Sequence, residues 1–459
     1  MSEDKTIKND IHSSGFILQS VILNSSRMTQ ELDLRGVVSD IHIYEHLDKA
    51  YLTADLMFVD SFKVADRLDI QGAETITITI KRSVNSPEYV KRFVIKKINK
   101  AQKNNNGSET FSLRLIEEIA FKSNLYNINR SYEGSPSSII TAILKKYLNV
   151  DLKIAGNEDV QGNIKLIVPN MNVMETIEWI RNRSTTNDGY PFFCFSTLSS
   201  DNIYYSDLET LLKNTPLNDS YPMIYSPSVS VAETNNRLFG IMAYSYADNE
   251  DTFSLVDKGL IGASYYFYDL LNSTYHKHKF NVITDIENTF KKFNARQDRL
   301  NVADNFVFDD LPLQEHDARH INRISTTGAY TTRTGGYNTF SQEINENNYR
   351  RSIIADATLN LMAKSKLTIL TKGSEFLGAT GSTVAEHYTI GNTLKIAFPA
   401  NYPDLENKLS IDPKKSGDYI IYAAKHSFSS ESYNISFECT KIGNYNTDIL
   451  PTGKGLTAV

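Results

Sequence analysis

The stretch "AETITITIKRS" (residues 73–83) decides the fold, because isoleucine and threonine alternate strictly along it. Alternation with a period of two residues predicts a β-strand with one apolar and one polar face. The apolar face carries three isoleucines: Ile76, Ile78 and Ile80. A similar strand, "NTLKIAF" (392–398), occurs near the other end of the chain, and both strands follow a glycine, Gly72 and Gly391. The likeness raises the question of whether one module is used twice.

The likeness extends to the strands that follow each of these two. "YVKRFVIKKINK" (89–100) corresponds to "SGDYIIYAAKHSFSS" (416–430), and "TFSLRLIEE" (110–118) corresponds to "ESYNISFECTKIG" (431–443). Strand order, alternation and spacing agree, so the sequence predicts a duplicated module. Two unrelated antiparallel meanders would share some of these features and are the alternative.

The composition favours sheets. The chain has 26 Tyr and 22 Phe but only 12 Pro among 459 residues, and aromatic side chains are enriched in strands while proline is depleted. Short alternating strands joined by turn residues indicate antiparallel barrels or sandwiches. The expected fold class is α+β, mainly β, with two related antiparallel β-barrel (tube-type) modules, an inserted α/β domain and a second insertion.

Two helices are expected between the copies. "GSPSSIITAILKKYLN" (134–149) has Ser135 in the N-cap position and a proline at the first helical position. "NVMETIEWIRNR" (172–183) begins with Asn172 and has a glutamate three positions on, which is the capping-box arrangement. These helices, followed by a predicted hairpin, indicate an α/β domain between two barrels.

The periodicity divides the chain into five segments. The early strands of the second copy are expected at 238–246 and 262–272, and a helix is expected around 350–364. The predicted segments are a first barrel (1–118), an α/β middle domain (119–231), a split second barrel (232–275 and 363–445), an insertion (276–362) and an extended C-terminal arm (446–459).

Composition also excludes several classes of protein. The formal net charge is −6, whereas domains that bind nucleic-acid phosphates are usually basic. The two cysteines, Cys194 and Cys439, are too few for a disulfide framework or a four-cysteine zinc site, and their apolar surroundings predict buried free thiols. The polar N-terminus lacks a signal-peptide pattern, and no apolar run reaches the roughly 20 residues of a membrane span. We therefore expect a soluble protein made in the cytoplasm, with no membrane anchor.

The search for a catalytic or metal site assigns no residue. His316 and His320 in "EHDARH" (315–320) have the spacing of two metal ligands on a helix turn, but the flanking sequence does not favour a helix. "HKHK" (276–279) is interpreted as a solvent-facing cluster, and "GATGST" (378–383) as a turn, since it lacks the lysine of a phosphate loop. We expect no cofactor and no enzymatic activity.

Charged residues cluster in the first module. Glu117 and Glu118 are adjacent at the end of a strand, and nothing assigns them acid–base roles. A basic run lies on two neighbouring strands and their ends: Lys81, Arg82, Lys91, Arg92, Lys96, Lys97, Lys100 and Lys103. A face for an acidic partner or passing nucleic acid and a solvated strand with lysines protecting its edge are both open interpretations.

The order of these motifs resembles the baseplate hub proteins of contractile-tailed phages of the T-even type. The resemblance is carried by "LRGVVSDIHIYEHLDKAYLTADLMFVDS" (34–61), "LDIQGAETITITI" (68–80), "SYEGSPSSIITAILKKYL" (131–148) and "MNVMETIEWIRNRS" (171–184). Each motif alone is weakly specific, and the resemblance extends over about residues 15–445.

The resemblance implies a mechanical role in the virion. In the hub family each chain carries two tube-type barrels, so a homotrimer presents six similar barrels around a channel. The implied partners are the tail tube protein, a central spike or tail lysozyme protein and the baseplate wedge proteins, with DNA only in transit through the lumen. Such a protein would be made in the host cytoplasm and end in the phage tail baseplate.

Other functions compete with this interpretation. The hub of a related injection machine, such as a secretion-system spike or a tailocin, has the same requirements. A virion-associated glycan-binding or lytic enzyme would need a carboxylate pair across a cleft, and no pair stands out. A receptor-binding protein at a fibre tip would predict a fibrous repeat, which the sequence lacks.

Overall fold

The computed structural model describes most of the chain. The described residues are 15–25, 27, 31–60, 70–103, 109–156, 164–218, 222–225, 240–248, 252–269, 273–281, 285–286, 297–300, 307–325, 338–339, 346–377, 389–398, 412, 414–429 and 432–445. The glycine-rich segment 378–383, the predicted arm 446–459 and most of 326–345 therefore lie outside the description. In the described part, no helix is long and apolar enough to cross a membrane.

The elements follow one another in three groups. The first group is β1 (Ile17–Asn24), β2 (Leu32–Asp33), β3 (Val38–His46), β4 (Thr53–Asp60), β5 (Thr75–Lys81), β6 (Glu88–Lys103) and β7 (Glu109–Glu117). The second is α1 (Glu118–Ser123), β8 (Asn127–Ile128), β9 (Ser131–Gly134), α2 (Pro136–Tyr147), β10 (Leu152–Ala155), β11 (Ile164–Ile167), β12 (Met171–Asn172), α3 (Val173–Arg181), β13 (Phe192–Thr197), β14 (Ser200–Asp207), α4 (Leu208–Lys213) and β15 (Met223–Ile224). The third is β16 (Ala243–Asp248), α5 (Thr252–Asp257), β17 (Ala263–Asp269), β18 (Thr274–Phe280), β19 (Gln297–Leu300), β20 (Val307–Phe308), β21 (Leu311–Pro312), a 3₁₀ turn (Leu313–Glu315), β22 (Arg319–Ser325), β23 (Asn338–Thr339), α6 (Glu346–Lys364), β24 (Ser365–Lys372), a 3₁₀ turn (Ser374–Phe376), β25 (Thr393–Ala397), β26 (Gly417–Ser429), β27 (Tyr433–Thr440) and β28 (Gly443–Tyr445).

One large sheet of 13 strands dominates the fold. Its main path runs β16-β24-β27-β26-β3-β4-β7-β6-β5-β1-β2, and β25 joins it by pairing with β26 and β15. All pairs along this main path are antiparallel. The fold is therefore mainly β with helices, as the sequence predicted. The described strands form an open path, so the closure of either module into a barrel stays a prediction.

The same strand order occurs twice in this sheet. In the first module the neighbours are β5-β6-β7-β4-β3, and in the second they are β25-β26-β27-β24-β16. Both long strands carry a bulge at the corresponding point, between Ile95 and Lys97 in β6 and between Ile421 and Ala423 in β26. A β-bulge is a specific structural feature, so its recurrence at the same place supports the duplication inferred from sequence.

The glycine comparison in the sequence needs one correction. The residue equivalent to Gly391 is Ala73, not Gly72: the N–H of Ala73 donates to the carbonyl of Ile95 (3.0 Å), and the N–H of Gly391 donates to the carbonyl of Ile421 (2.9 Å). Both residues have positive φ, 67° for Ala73 and 79° for Gly391. Alanine is strained in this left-handed region, which a sequence pattern does not reveal.

Replacing Ala73 by glycine is therefore expected to stabilise the protein by about 0.5–1 kcal/mol, because glycine adopts positive φ without a steric penalty. Urea unfolding monitored by circular dichroism measures the change. The matched variant Gly391→Ala should destabilise, since its new Cβ would lie 3.3 Å from both Leu211 and Leu47. An Ala73→Gly variant less stable than the wild type would contradict the strain assigned to Ala73.

A strand forms within 262–272, as expected, but it does not belong to the second module of the large sheet. β17 pairs with β18 and, in parallel, with β22, in a separate three-stranded sheet. The strand that lies beside β27 in the large sheet is instead β24, residues 365–372. Alternation specifies that a segment forms a strand and which face is apolar, but it does not specify the partner strand. The limits of the five predicted segments otherwise stay predictions.

The helices between the modules begin as predicted. The Ser135 side chain accepts from the backbone N–H of Ser138 at the start of α2, and Pro136 is the first helical residue. Asn172 caps α3 in a complete capping box with Glu175. α6 also forms where a helix was expected.

The hairpin of β13 and β14 connects the cores of the protein. All six residues of β13 are buried. Phe192 and Cys194 pack with the two helices α2 and α3, whereas Phe193 and Phe195 pack with the second module. The middle region is thereby fixed between elements from both halves of the chain.

Candidate assembly site at the junction of the two modules

The two modules join by direct strand pairing. The first residues of β26 pair with β25, and its remaining residues, Ala423–Ser429, pair antiparallel with His46–Asp40 of β3. The bulge at Tyr422 lies between these two parts, and the Tyr422 carbonyl accepts a hydrogen bond from the N–H of Leu47 (2.9 Å). β26 therefore pairs first within its own module and then, after the bulge, with the first module.

A buried polar cluster occupies this junction. Glu45 of β3 and His426 of β26 are 0% and 1% exposed, and His426 Nε2 lies 3.4 Å from Glu45 Oε1. This separation is longer than a strong hydrogen bond, so the interaction is mainly electrostatic. His426 Nδ1 is hydrogen-bonded to the Tyr433 hydroxyl at 2.7 Å. The cluster thus links one strand of the first module to two strands of the second.

The middle region completes the same cluster. The backbone N–H of Leu198 donates to Glu45 Oε1 at 2.6 Å, and the Thr197 hydroxyl donates to the same oxygen at 3.0 Å. Burial by itself would raise the pKa of Glu45, but His426 and these two donors outweigh burial and hold the pKa below its ordinary value. Burial, with Glu45 nearby, raises the pKa of Tyr433 well above its ordinary value. A charged Glu45 is therefore the stable form in the folded protein.

Aromatic packing surrounds the cluster. The rings of Phe428 and Tyr433 stack with centroids 4.3 Å apart, and Phe16 lies 5.1 Å from Phe428. Phe428 and Tyr433 belong to second-module strands but pack in the core of the first module. Such a junction buries apolar surface as well as backbone hydrogen bonds, which makes it rigid rather than a hinge.

A buried lysine fixes the first module to the middle region. Lys91 of β6 is 3% exposed, and its ammonium group donates to the carbonyl of Ser200 (2.5 Å) and lies 3.1 Å from Asp201. It lies 3.9 Å from Glu117, whose carboxylate accepts from the N–H of Leu52 (2.7 Å). Burial raises the pKa of Glu117, and the charge of Lys91 opposes this effect.

A polar cleft lies beside the junction, between the end of β3 and helix α3. Its volume is about 320 Å³, and its lining includes Asp48, Glu178, Arg181 and Cys194. Among the described residues, the buried atoms Asp48 Oδ1 and Arg181 Nε have no hydrogen-bond partner, which suits a bound water or a small polar group. Burial raises the pKa of the Cys194 thiol to about 12, so this cysteine is a poor nucleophile.

The structure places half of the basic run in internal ion pairs. Lys81 pairs with Glu88 at 2.8 Å, Arg82 with Glu375 at 2.6 Å and Arg92 with Glu118 at 3.6 Å, in addition to the buried Lys91. The side chains of Lys100 and Lys103 lie outside the described residues. Four of the eight basic residues are therefore already paired within the chain, which weakens the interpretation of the run as a face for an acidic partner.

The other residues singled out by sequence are not brought together. His316 follows a 3₁₀ turn and contacts the Phe308 carbonyl (2.9 Å), whereas His320 lies in β22, 4.0 Å from Asp317. In the described ranges no group of three or more His, Cys, Asp or Glu could hold a metal ion. In "HKHK" (276–279), all but the half-buried His278 are exposed. Cys194 and Cys439 are buried and unpaired, as predicted.

Sequence reasoning missed Glu45 and His426. A signal was present, because Glu45 continues the inward-facing series of Ile41 and Ile43, and His426 precedes the inward-facing Phe428 by two residues. A charged residue in an apolar series indicates a buried polar contact. The partner of each could not be read from the sequence, since more than 380 residues separate them, 426 against 45.

Comparisons with known proteins concern the fold. No family model and no curated protein sequence matches the chain. A tail protein from Neisseria meningitidis MC58 superposes with a TM-score of 0.50 at 10% identity, covering 94% of this chain and 98% of that one. The 43 kDa tail protein of prophage MuSo2 from Shewanella oneidensis has a TM-score of 0.46 at 8% identity, covering 92% and 97%. A prophage tail protein from Listeria monocytogenes EGD-e has a TM-score of 0.43 at 8% identity, covering 91% and 94%.

At such low identity the likeness to the Neisseria protein establishes the fold and nothing finer. It extends over nearly the full length of both chains. The resemblance to phage tail proteins, first indicated by the order of motifs in the sequence, is confirmed at the level of the fold.

Proposed function

We propose that this chain is a structural baseplate hub: a homotrimeric ring with pseudo-sixfold symmetry that joins the hexameric tail tube to the trimeric central spike. The ring's channel lets the genome, in transit, leave the tail. The chain acts without catalysis or a cofactor, and its location is the baseplate of a phage tail or of a related injection machine.

The observation that carries this proposal is the repeated strand order with a rigid junction between its two copies. Two modules per chain give 3 × 2 = 6 modules in a trimer. Duplicated surfaces can make quasi-equivalent contacts around a closed ring. Six similar modules match a hexameric tube on one side, while the threefold symmetry of whole chains matches a trimeric spike on the other.

The charge distribution supports a channel through which DNA passes without binding tightly. The chain has a formal net charge of −6, and the basic side chains of β5 and β6 with described partners are paired to the protein's own carboxylates. Tight binding to DNA requires cations that neutralise phosphates. The proposed partners are the tail tube, spike and baseplate wedge proteins, which the hub would join.

Electron microscopy of the purified chain, alone and mixed with the tail tube and spike proteins of the same virus, tests this proposal. We expect end-on class averages of a ring with six lobes around an open centre and threefold symmetry. Averages that lack a ring in every mixture, or a ring without a central opening, would overturn the proposal.

A further inference from the structure

We propose that β16 of one copy of the chain pairs antiparallel with the outer half of β6 (residues 97–103) of the next copy. This pairing would continue the large sheet from copy to copy in the same way that β3 pairs with β26 inside the chain. The inference rests on the proposed ring and specifies which edges form it and in what register.

The two proposed partners are the counterparts of the two strands that join the modules. β16 takes the place of β3, because each lies beside the fourth strand of its module, β24 or β4. β6 takes the place of β26, because each carries the bulge and pairs with the last strand, β7 or β27. The junction of β26 with β3 is therefore a template for a second junction of the same kind.

Both counterpart edges are open in the described part of the chain. β6 pairs with β5 only through its first half, Glu88–Val94, as β26 pairs with β25 only through its first residues. The corresponding edge of residues 97–103, which in β26 is covered by β3, has no partner strand among the described residues. β16 pairs only with β24 there and forms the end of the sheet. Open edges present unpaired N–H and C=O groups that favour pairing with another strand.

The template fixes the register. Inside the chain, Ser427 pairs with His42. Counted in pairs after the shared bulge, Ser427 with Asn434 and Gln102 with Thr110 are both the fifth pair, which makes Gln102 the counterpart of Ser427. β6 has a second bulge, between Ile98 and Lys100, that β26 lacks, so the count follows the partners on β7 rather than the residue numbers. In the neighbouring strands β4 and β24, Asp55 and Thr368 occupy corresponding positions. Asp55 pairs with His42 and Thr368 pairs with Ser245, so Ser245 is the counterpart of His42. The predicted contact between copies is therefore Gln102 opposite Ser245.

Exposed apolar side chains lie at the positions that the junction covers inside the chain. Tyr244 is 38% exposed, whereas its counterpart Ile41 is 1% exposed. Ile98 is 40% exposed, whereas its counterpart Ala424 is 2% exposed. Pairing between copies would cover Tyr244 and Ile98, and the removal of apolar surface from water favours the contact.

We assign the partner edge to a second copy, because the two open edges lie at opposite ends of one path of eight strands, from β16 to β6, and a head-to-tail ring brings such edges of successive copies together. Because the edges of β16 and β6 differ, a contact between them is head-to-tail. Head-to-tail contacts close into a ring if the rotation between successive copies allows it. The exposed Lys97 on the outer half of β6 disfavours indiscriminate pairing with other strands. A partner edge in the matching register overcomes this disfavour.

Disulfide trapping tests the register. The double variant Gln102→Cys/Ser245→Cys, oxidised at neutral pH, should form a covalently closed trimer on a non-reducing gel, because paired strand positions meet the Cα spacing of a disulfide. The control His42→Cys/Ser427→Cys should form the equivalent disulfide within one chain, without a change in mass. The control Gln102→Cys/Tyr246→Cys shifts the register by one residue to the opposite face and should not cross-link. Both native cysteines are buried and can remain.

The outcomes separate this inference from the proposed ring. A trimer by mass in which Gln102→Cys/Ser245→Cys stays uncrosslinked, while the His42→Cys/Ser427→Cys control crosslinks, would overturn the register and leave the ring standing. Cross-linking of the shifted pair instead would overturn it equally. A chain that stays monomeric with every tail partner would overturn both.

Discussion

Replacing His426 by phenylalanine is expected to destabilise the protein by about 3–5 kcal/mol, the range found when a buried charge, here the Glu45 carboxylate, is left uncompensated. Phenylalanine retains a ring that can stack on Phe428, so the loss comes from the polar contacts of the imidazole rather than from a cavity. Glu45, which is 0% exposed, would lose the neighbour that lies 3.4 Å away. Urea unfolding at pH 7 measures the loss.

The double variant with Glu45→Gln is the matched control. If the loss arises from an uncompensated carboxylate, His426→Phe/Glu45→Gln should recover a large part of it. A His426→Phe variant within about 0.5 kcal/mol of the wild type, the range of surface substitutions, would contradict the assigned role of the cluster.

The difference in stability between the wild type and His426→Phe should change with pH in a definite direction. In the wild type the pKa of Glu45 is depressed, so its contribution is present above the unfolded value of about 4.3 and is lost as the pH falls through the lower, folded pKa. In His426→Phe the pKa of Glu45 should be raised by burial, so the penalty is present at neutral pH and is relieved on acidification. The difference in stability between the two proteins should therefore shrink from pH 7 to about pH 4. A difference that grows over this interval would contradict this account.

Replacing Lys91 by methionine is the second substitution with a large expected effect, a loss of about 3–5 kcal/mol. Methionine occupies a similar volume, but it leaves Glu117 buried without its cation and the Ser200 carbonyl without its donor. The double variant Lys91→Met/Glu117→Gln should recover part of the loss, since the glutamine oxygen can still accept from the N–H of Leu52. Thermal and urea unfolding measure both variants.

The exposed neighbour Lys97 provides the matched control on the same strand. Lys97→Met should change the stability by less than about 0.5 kcal/mol, as expected for a surface position. Equal losses for the two lysines would contradict the role assigned to the buried one.

Much of the fold could be predicted from the sequence, because local patterns carry it. Strict alternation identified β5, and capping residues identified the starts of α2 and α3. The partner of a strand is not encoded in that pattern: β17 alternates like a strand of the large sheet yet pairs with β18 and β22. The strain at Ala73 was equally invisible, since it is a property of the backbone and not of the residue type.

The candidate site was less predictable than the fold. Sequence reasoning did not single out Glu45 and His426, and their contact depends on the pairing of β3 with β26 across the length of the chain. The basic run was read correctly as strand residues, whereas its ion pairs with Glu88, Glu118 and Glu375 depend on packing. Long-range pairing is thus the part of the structure that local patterns did not specify.

Native mass spectrometry of the purified chain, alone and with the tail tube and spike proteins, tests the central claim most directly. The account predicts a closed trimer of about 156 kDa, three chains of 51.9 kDa each, either for the chain alone or once the spike protein is added. A mass of one chain under every condition, or a stable dimer, would contradict it.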